Sequence, residues 1–185
     1  METSLLSSKS SVTHRSPVQS LVSCDLSLSK YNTLNGIRAS TVLNRNVMLY
    51  GAMNALDTKD TSSCWNSDQA PPNAPLEKQQ IFQINFNRMV SVSRIAIMFQ
   101  GGFVPMKCIL SIRRSERRDF EPIDEGDFDM ELEDCNELQE FGLPDDIDTK
   151  CDALKLTFGE SSDFYGRVTI YRLQVWGYEE VESMR

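Results

Sequence analysis

Histidine is all but missing from this chain. The only one among 185 residues is His14, set in a stretch of serine and threonine, so no Ser-His or Cys-His pair can be placed on a rigid scaffold, and most nucleophilic hydrolase mechanisms fall away. No phosphate-cradling GxxxxGK loop and no GxGxxG fingerprint occurs. Carboxylates are plentiful, but the roughly 5 to 10 Å spacing that glycoside hydrolysis needs is not legible in a sequence. No catalytic residue is assigned; neither an enzyme, a cofactor nor a small-molecule substrate is expected.

Long apolar runs are missing too. The longest, residues 95–99, is strand-sized, against about 20 residues for a membrane span. Leu5 and Leu6 are followed at once by Ser7, Ser8, Lys9 and Ser10, which leaves no apolar core for a secretory signal. A serine-rich transit peptide fits poorly with Glu2 and Asp25 and with so few basic residues. The expected address is nuclear or cytoplasmic, with no membrane partner.

Positive charge is the minority sign. Nineteen Lys and Arg face 27 Asp and Glu, giving a net charge of -8 and a pI near 4.7, which argues against direct nucleic-acid binding through phosphate contacts. The exception is the run Arg113, Arg114, Arg117 and Arg118, readable as a weak import or anion patch or, more simply, as a solvated strand end. The five cysteines, Cys24, Cys64, Cys108, Cys135 and Cys151, show no CxxC spacing and no even-numbered framework, so reduced intracellular thiols are the simpler reading.

What is present suffices for one core: 40% of residues are hydrophobic, among them 9 Phe, 5 Tyr and 2 Trp, enough to offset the chain entropy of a single domain. Residues 1–35 lack any sustained period and read as a disordered serine-rich extension, with Ser16 before Pro17 as a candidate phosphorylation site. From residue 36 to 180 short β-branched and aromatic runs alternate with Gly, Pro, Asn and Asp, the pattern of an all-β domain; residues 181–185 are a short tail. Phe82, Ile84 and Phe86 share one strand face, as do Ile95, Ile97 and Phe99, and Leu154, Leu156 and Phe158. Further strands are expected at 37–43, 106–112 and 141–143, a count suited to a two-sheet sandwich. Between residues 168 and 176 the alternation changes phase: Val168 and Ile170 share one face, Leu173 and Val175 the other, which calls for a bulge or a strand covered on both sides. Residues 119–152 hold fifteen acidic residues and one basic residue, Lys150. Exposed loops and a protected sheet edge are expected there, or an acidic docking surface.

The most informative stretch runs Asn54-Ala55-Leu56-Asp57-Thr58-Lys59-Asp60-Thr61-Ser62-Ser63-Cys64-Trp65-Asn66-Ser67-Asp68. It resembles the discoidin, or coagulation-factor type C, signature of an Ala-x-Asp turn followed by Thr, Trp and Ser. The resemblance implies that Trp65 packs under the loops rather than serving as a sugar-stacking platform. Asp57 and Asp60 can accept backbone hydrogen bonds in a tight turn; as calcium ligands they supply two of the six to eight oxygens that ion takes, so no metal is expected. With Ser40-Thr41-Val42-Leu43-Asn44-Arg45-Asn46, Cys64-Trp65-Asn66-Ser67-Asp68-Gln69, Phe99-Gln100-Gly101-Gly102-Phe103 and Asp163-Phe164-Tyr165-Gly166-Arg167-Val168-Thr169-Ile170-Tyr171 taken together, residues 37–177 resemble the nuclear receptor subfamily 2 group C member 2-associated protein family. That resemblance implies a jelly-roll-like discoidin β-sandwich of the galactose-binding type without catalytic activity, and binding to an orphan nuclear receptor whose transactivation it represses.

The candidate protein-binding patch is drawn from those motifs: Asn66, Asp68, Gln100, Phe103, Asp163, Phe164, Tyr165 and Arg167. Gly101 and Gly102 suit a sharp turn or bulge after the 95–99 strand; the functional alternative is that this loop displays Phe103 as an apolar anchor, with Gln100 and Asn66 as adaptable hydrogen-bonding neighbours. Arg167 has Asp163 or Asp68 as an ion-pair partner, which makes this segment either an internal loop clamp or a partner-facing surface. No LxxLL helix is present, so contact is expected from the folded surface. The rival readings are a glycan- or lipid-binding module and a ubiquitin-ligase adaptor.

Overall fold

The computed structural model describes residues 24–25, 36–57, 60, 62–70, 75, 79–114, 118–123 and 130–179. The expected strands at 82–86 and 94–99 prove to be one: a strand runs without interruption over Gln80–Phe99. We number the strands β1 Cys24–Asp25, β2 Ile37–Ala39, β3 Trp65–Asn66, β4 Gln80–Phe99, β5 Cys108–Arg113, β6 Glu121–Pro122, β7 Leu138–Gly142, β8 Lys150–Phe158 and β9 Thr169–Glu179.

Strand β4 belongs to both layers of the sandwich. Its first half pairs with β2 and β8, its second half with β7 and β9, all antiparallel. Between the halves the register with β8 slips from Asn85 to Val90, and Asn87 sits at φ 55°, a left-handed conformation that Asn tolerates better than most residues. Beyond β8 the first layer continues to β5 and β6, and β9 carries β1 and β3 along its outer edge. Folding one long strand over in this way brings both its ends, Gln80 and Phe99, to the same end of the sandwich.

The alternation read from the sequence is what fills the space between the layers. Phe82, Ile84, Phe86, Ile95, Ile97, Phe99, Leu154, Leu156 and Phe158 are fully buried, each contributing about 1.5–3 kcal/mol by leaving water. The phase change at residues 168–176 is a bulge: facing pairs pass from Met98 and Arg172 to Phe99 and Ile170, leaving Tyr171 over, so that Ile170, Leu173 and Val175 all turn inward.

Several expectations are corrected. The strand expected over 37–43 stops at Ala39, because the Ser40 and Thr41 hydroxyls both bond the Gln80 Oε1, and a 3-10 turn follows at Leu43–Arg45 with Asn44 and Arg45 left-handed. Inside the 1–35 extension, Cys24–Asp25 pairs with Gly177 and Trp176 of β9; the rest of that extension, Ser16 included, and residues 181–185 lie outside the described residues. The arginine run is ion-paired rather than simply solvated: Arg113 binds Asp152 at 2.9 Å and Arg114 lies 3.4 Å from Glu121, while Arg117 is outside the described residues. The acidic segment does supply the edge strand β7, where Glu140 meets Arg94 at 2.7 Å. Cys64, Cys108, Cys135 and Cys151 are free thiols, and burial pushes Cys151 up to about 12. No helix among the described residues is long and apolar enough to cross a membrane.

Candidate functional site

Trp65 is the floor beneath the loops. Wholly buried, it meets Phe82 edge-on at 5.4 Å between ring centres and lies 5.9 Å from Phe158, while its indole N–H donates to the Thr41 carbonyl at 2.9 Å. Its polar tip is thereby satisfied and its face is covered, so it offers no stacking platform.

Above this floor Gln80 organises the first loops. Its Oε1 accepts from Ser40 and Thr41 at 2.8 and 2.7 Å, and its amide donates to the Asp68 carbonyl at 3.0 Å. The Asp68 N–H in turn donates to the Thr41 hydroxyl at 2.9 Å. This ridge separates two clefts. One, of about 660 Å³, is lined by Gln79, Gln80, Met106, Lys107, Glu160 and Phe164 among others; the other, of about 430 Å³, by Ser40, Thr41, Arg45, Val47 and Asp68 among others.

Opposite stands the turn at residues 161–167. The Asp163 carboxylate accepts the N–H groups of Tyr165 and Arg167 at 3.1 Å each, and the Arg167 guanidinium at 3.0 and 3.1 Å. Four donors on one carboxylate, Arg167's foremost, hold Asp163 below the usual carboxylate range, and the same contact raises Arg167. Gly166 closes the turn at φ +71°, where a Cβ would approach the Ala70 carbonyl oxygen to within 2.4 Å. The turn is fixed, and it pushes its aromatic pair outward: Phe164 is 83% and Tyr165 52% exposed, with ring centres 5.3 Å apart.

The loop after β4 is clamped from both sides. The Gln100 N–H donates to the Thr169 carbonyl, and the Thr169 N–H to that of Phe103. Asn136 and Asp134 accept the Gly101 and Gly102 N–H groups at 2.8 and 2.7 Å. Phe103 is half-buried, with the Arg167 guanidinium 4.9 Å above its ring. The expectation of a displayed Phe103 anchor is therefore corrected: Arg167 roofs the ring because its clamp with Asp163 aims it there.

Of the eight candidate residues, Gln100, Phe103, Asp163, Tyr165 and Arg167 form one cluster, with Phe164 on its outer rim. Asn66 borders it across the β3–β9 pair, facing Thr169; its Oδ1 and the Thr169 Oγ1 are buried with no hydrogen-bond partner among the described residues. Asp68 does not join: it belongs to the Thr41–Gln80 ridge, and Arg167's partner is Asp163. Asp60 accepts from the Ser62 N–H and hydroxyl at 2.9 and 2.6 Å, which holds it low and makes it a turn residue. Among the described residues no three His, Cys, Asp or Glu side chains converge on a point that would hold a metal.

Sequence reasoning missed the apolar knuckle of helix α1, Val47–Tyr50. Val47, Met48 and Leu49 are 66, 89 and 59% exposed, and Met106 is 74% exposed beside the larger cleft. The signal was available: an apolar run without alternation, between Asn46 and Gly51, fits neither a strand nor a buried turn.

A bent β4 shared by two antiparallel layers, with Trp65 under loops gathered at one end, defines a discoidin-type sandwich. Solved structures of that class share the fold: an F5/8 type C domain from Bacteroides fragilis (TM-score 0.62, 11% identity, 78% of this chain and 91% of that one), a family 32 CBM from Clostridium perfringens in complex with galactose (0.60, 17%, 84% and 99%), and a fucolectin from striped bass serum (0.64, 11%, 88% and 52%). No family profile matches the chain. Among curated proteins, the mouse Nuclear receptor 2C2-associated protein is 37% identical over 145 residues, covering 76% of this chain and 89% of that protein. The human and zebrafish proteins of that name are 36 and 34% identical, covering 89 and 92% of their lengths and 76 and 78% of this chain. The chain belongs to the Nuclear receptor 2C2-associated protein family.

Proposed function

We propose that the chain is a non-catalytic protein-binding module whose loop end docks on a nuclear receptor and represses receptor-driven transcription by masking a receptor surface, in the nucleus or shuttling to it from the cytoplasm. The observation that carries this reading is the exposure of large apolar side chains on a rigid base: Phe164 and Tyr165 stand on a turn held by the Asp163–Arg167 clamp, with Met106 across the same cleft. Exposed aromatic anchors that need no ordering on contact are the kind of group that dominates interface energy. The relatives' shared name supports a receptor as the partner. Occupancy alone accounts for repression, since a covered surface is closed to coactivator, dimer partner or DNA.

A glycan-binding reading draws on the polar lining of the larger cleft, where Gln79, Gln80, Lys107 and Glu160 meet. Trp65 is buried and offers it no stacking platform, which leaves the exposed Phe164 on the cleft rim as the one aromatic face for a sugar among that cleft's described lining. A receptor-driven reporter decides between them: expression of the intact chain lowers its output, and the Phe164→Ala/Tyr165→Ala double variant at equal abundance restores it. Output indifferent to the chain contradicts the repressor reading, and glycan arrays then become the discriminating assay.

A further inference from the structure

Five arginines of the described chain are tied to carboxylates: Arg88 to Glu179, Arg94 to Glu140, Arg113 to Asp152, Arg114 to Glu121 and Arg167 to Asp163. Lys155 is not. It is half-buried, its burial lowers the ammonium's pKa, and the only partner of its Nζ among the described residues is the Phe120 ring at 4.8 Å. In a chain with 27 acidic residues, leaving a partly desolvated ammonium without a counter-ion is unfavourable in isolation.

Its neighbours share the condition. Arg38 faces Gln83, Gln83 faces Lys155, and Lys155 faces Ser111 across β2, β4, β8 and β5. Facing residues of antiparallel neighbours project to the same side about 5 Å apart. Phe82, Ile84, Leu154, Leu156, Leu110 and Ile112 fill the inner face, so this row lies on the outer one, and Thr157, two residues beyond Lys155, joins it. Ser111 and Thr157 are each only 4% exposed and so lie covered beside the row, while among the described residues neither the Gln83 amide nor the exposed Arg38 guanidinium makes a side-chain hydrogen bond or ion pair. Two cations and one amide thus line one patch of sheet beside Phe120, with no hydrogen-bond or ion-pair partner for their side chains among the described residues.

We infer that the Arg38–Gln83–Lys155 row is a binding site for a phosphomonoester. A phosphate monoester carries roughly -1.5 to -2 charges at neutral pH and three strong acceptor oxygens, which matches two cations without an ion-pair partner among the described residues and the amide between them; a carboxylate would leave one cation unmatched. The site lies on the flat of the sheet, not at its loop end, and does not depend on the receptor reading.

The test is an NMR titration of the full-length, nitrogen-15-labelled chain at constant ionic strength, with inorganic phosphate, with the tripeptide glycyl-phosphoseryl-glycine and with its unphosphorylated form. Saturable shifts of the Gln83, Lys155 and Thr157 amides are expected with both phosphate compounds and none with the unphosphorylated peptide. Tighter binding of the phosphopeptide identifies a phosphorylated polypeptide as the source of the group; tighter binding of inorganic phosphate identifies the free anion. Lys155→Gln and Arg38→Gln should each weaken binding about tenfold or more, the scale of a lost charge-assisted hydrogen bond. Arg172→Gln, on β9 in the other layer, should leave it unchanged. Where Lys155→Gln does not fold, the exposed Arg38→Gln carries the comparison. Absence of saturable shifts with both phosphate compounds, or undiminished affinity in a folded Lys155→Gln or Arg38→Gln variant, overturns the inference.

Discussion

Arg167 holds the Asp163 carboxylate with two guanidinium nitrogens, at 3.0 and 3.1 Å, and from that position lies 4.9 Å over the ring of Phe103. One side chain therefore does two things: it closes the turn that displays Phe164 and Tyr165, and it roofs the neighbouring loop. Replacing Arg167 with Ala should cost about 1–3 kcal/mol, since a hydrogen-bonded charge pair and a covered ring are lost together. Urea denaturation reads the cost, and hydrogen exchange should show faster amides at residues 100–103 and 163–167 than elsewhere.

The same pair sets an acid sensitivity. Because folding lowers the Asp163 pKa, its contribution to stability is fully present above the unfolded carboxylate value of about 3.9 and is lost as pH falls through the lower folded value. As pH falls below about 4 and through the lower folded value, the intact chain should lose more stability than Asp163→Asn, which has already forgone the term. Denaturation midpoints at stepped pH check this; parallel curves would contradict it.

Burial separates two aromatic residues that a sequence presents alike. Trp65→Ala, at the centre of the Phe82–Phe158 cluster, should cost about 3–5 kcal/mol, whereas Phe164→Ala, 83% exposed, should stay within about 0.5 kcal/mol. Thermal unfolding of the two variants compares them directly.

Glycine makes a similar contrast. Gly102 and Gly166 both have positive φ, but only at Gly166 does a Cβ run into backbone, the Ala70 carbonyl oxygen; at Gly102 nothing lies within 4 Å. Gly102→Ala should cost about 1–2 kcal/mol of left-handed strain, and Gly166→Ala more, because the loop must also move. Chemical denaturation of the pair orders them.

Thiol reactivity follows burial. Cys135 is half-exposed, whereas Cys64 and Cys151 are buried and raised by desolvation, Cys151 to about 12. Alkylation of the native protein near pH 8 followed by peptide mapping should modify Cys135 well before Cys64 or Cys151, which become reactive on unfolding.

How much of this was legible follows from the physics of each element. Period-two alternation located Phe82, Ile84 and Phe86, because a buried strand face leaves that trace, and the phase break after Ile170 gave away its bulge. That β4 crosses both layers was not legible, since nothing in residues 85–90 reports which strand lies alongside. The ion pair of Arg167 was narrowed to Asp163 or Asp68, and the choice fell to the Gly166 turn, whose closure is a matter of backbone direction. Phe103 was misread as displayed because the roof over it comes from a residue more than sixty positions away. The Val47–Leu49 knuckle leaves no trace in period-two alternation, because an exposed apolar triplet in a short helix has none.

The central claim is that the loop end binds a protein partner through Phe164 and Tyr165. Its most direct test is the affinity of the purified chain for purified nuclear receptor 2C2, measured by calorimetry beside the Phe164→Ala/Tyr165→Ala double variant, both first shown to unfold at the same midpoint. A saturable complex that weakens about tenfold or more in the variant, the scale of one lost aromatic anchor, is the predicted result. A complex of equal affinity in both, or none with either, would contradict it.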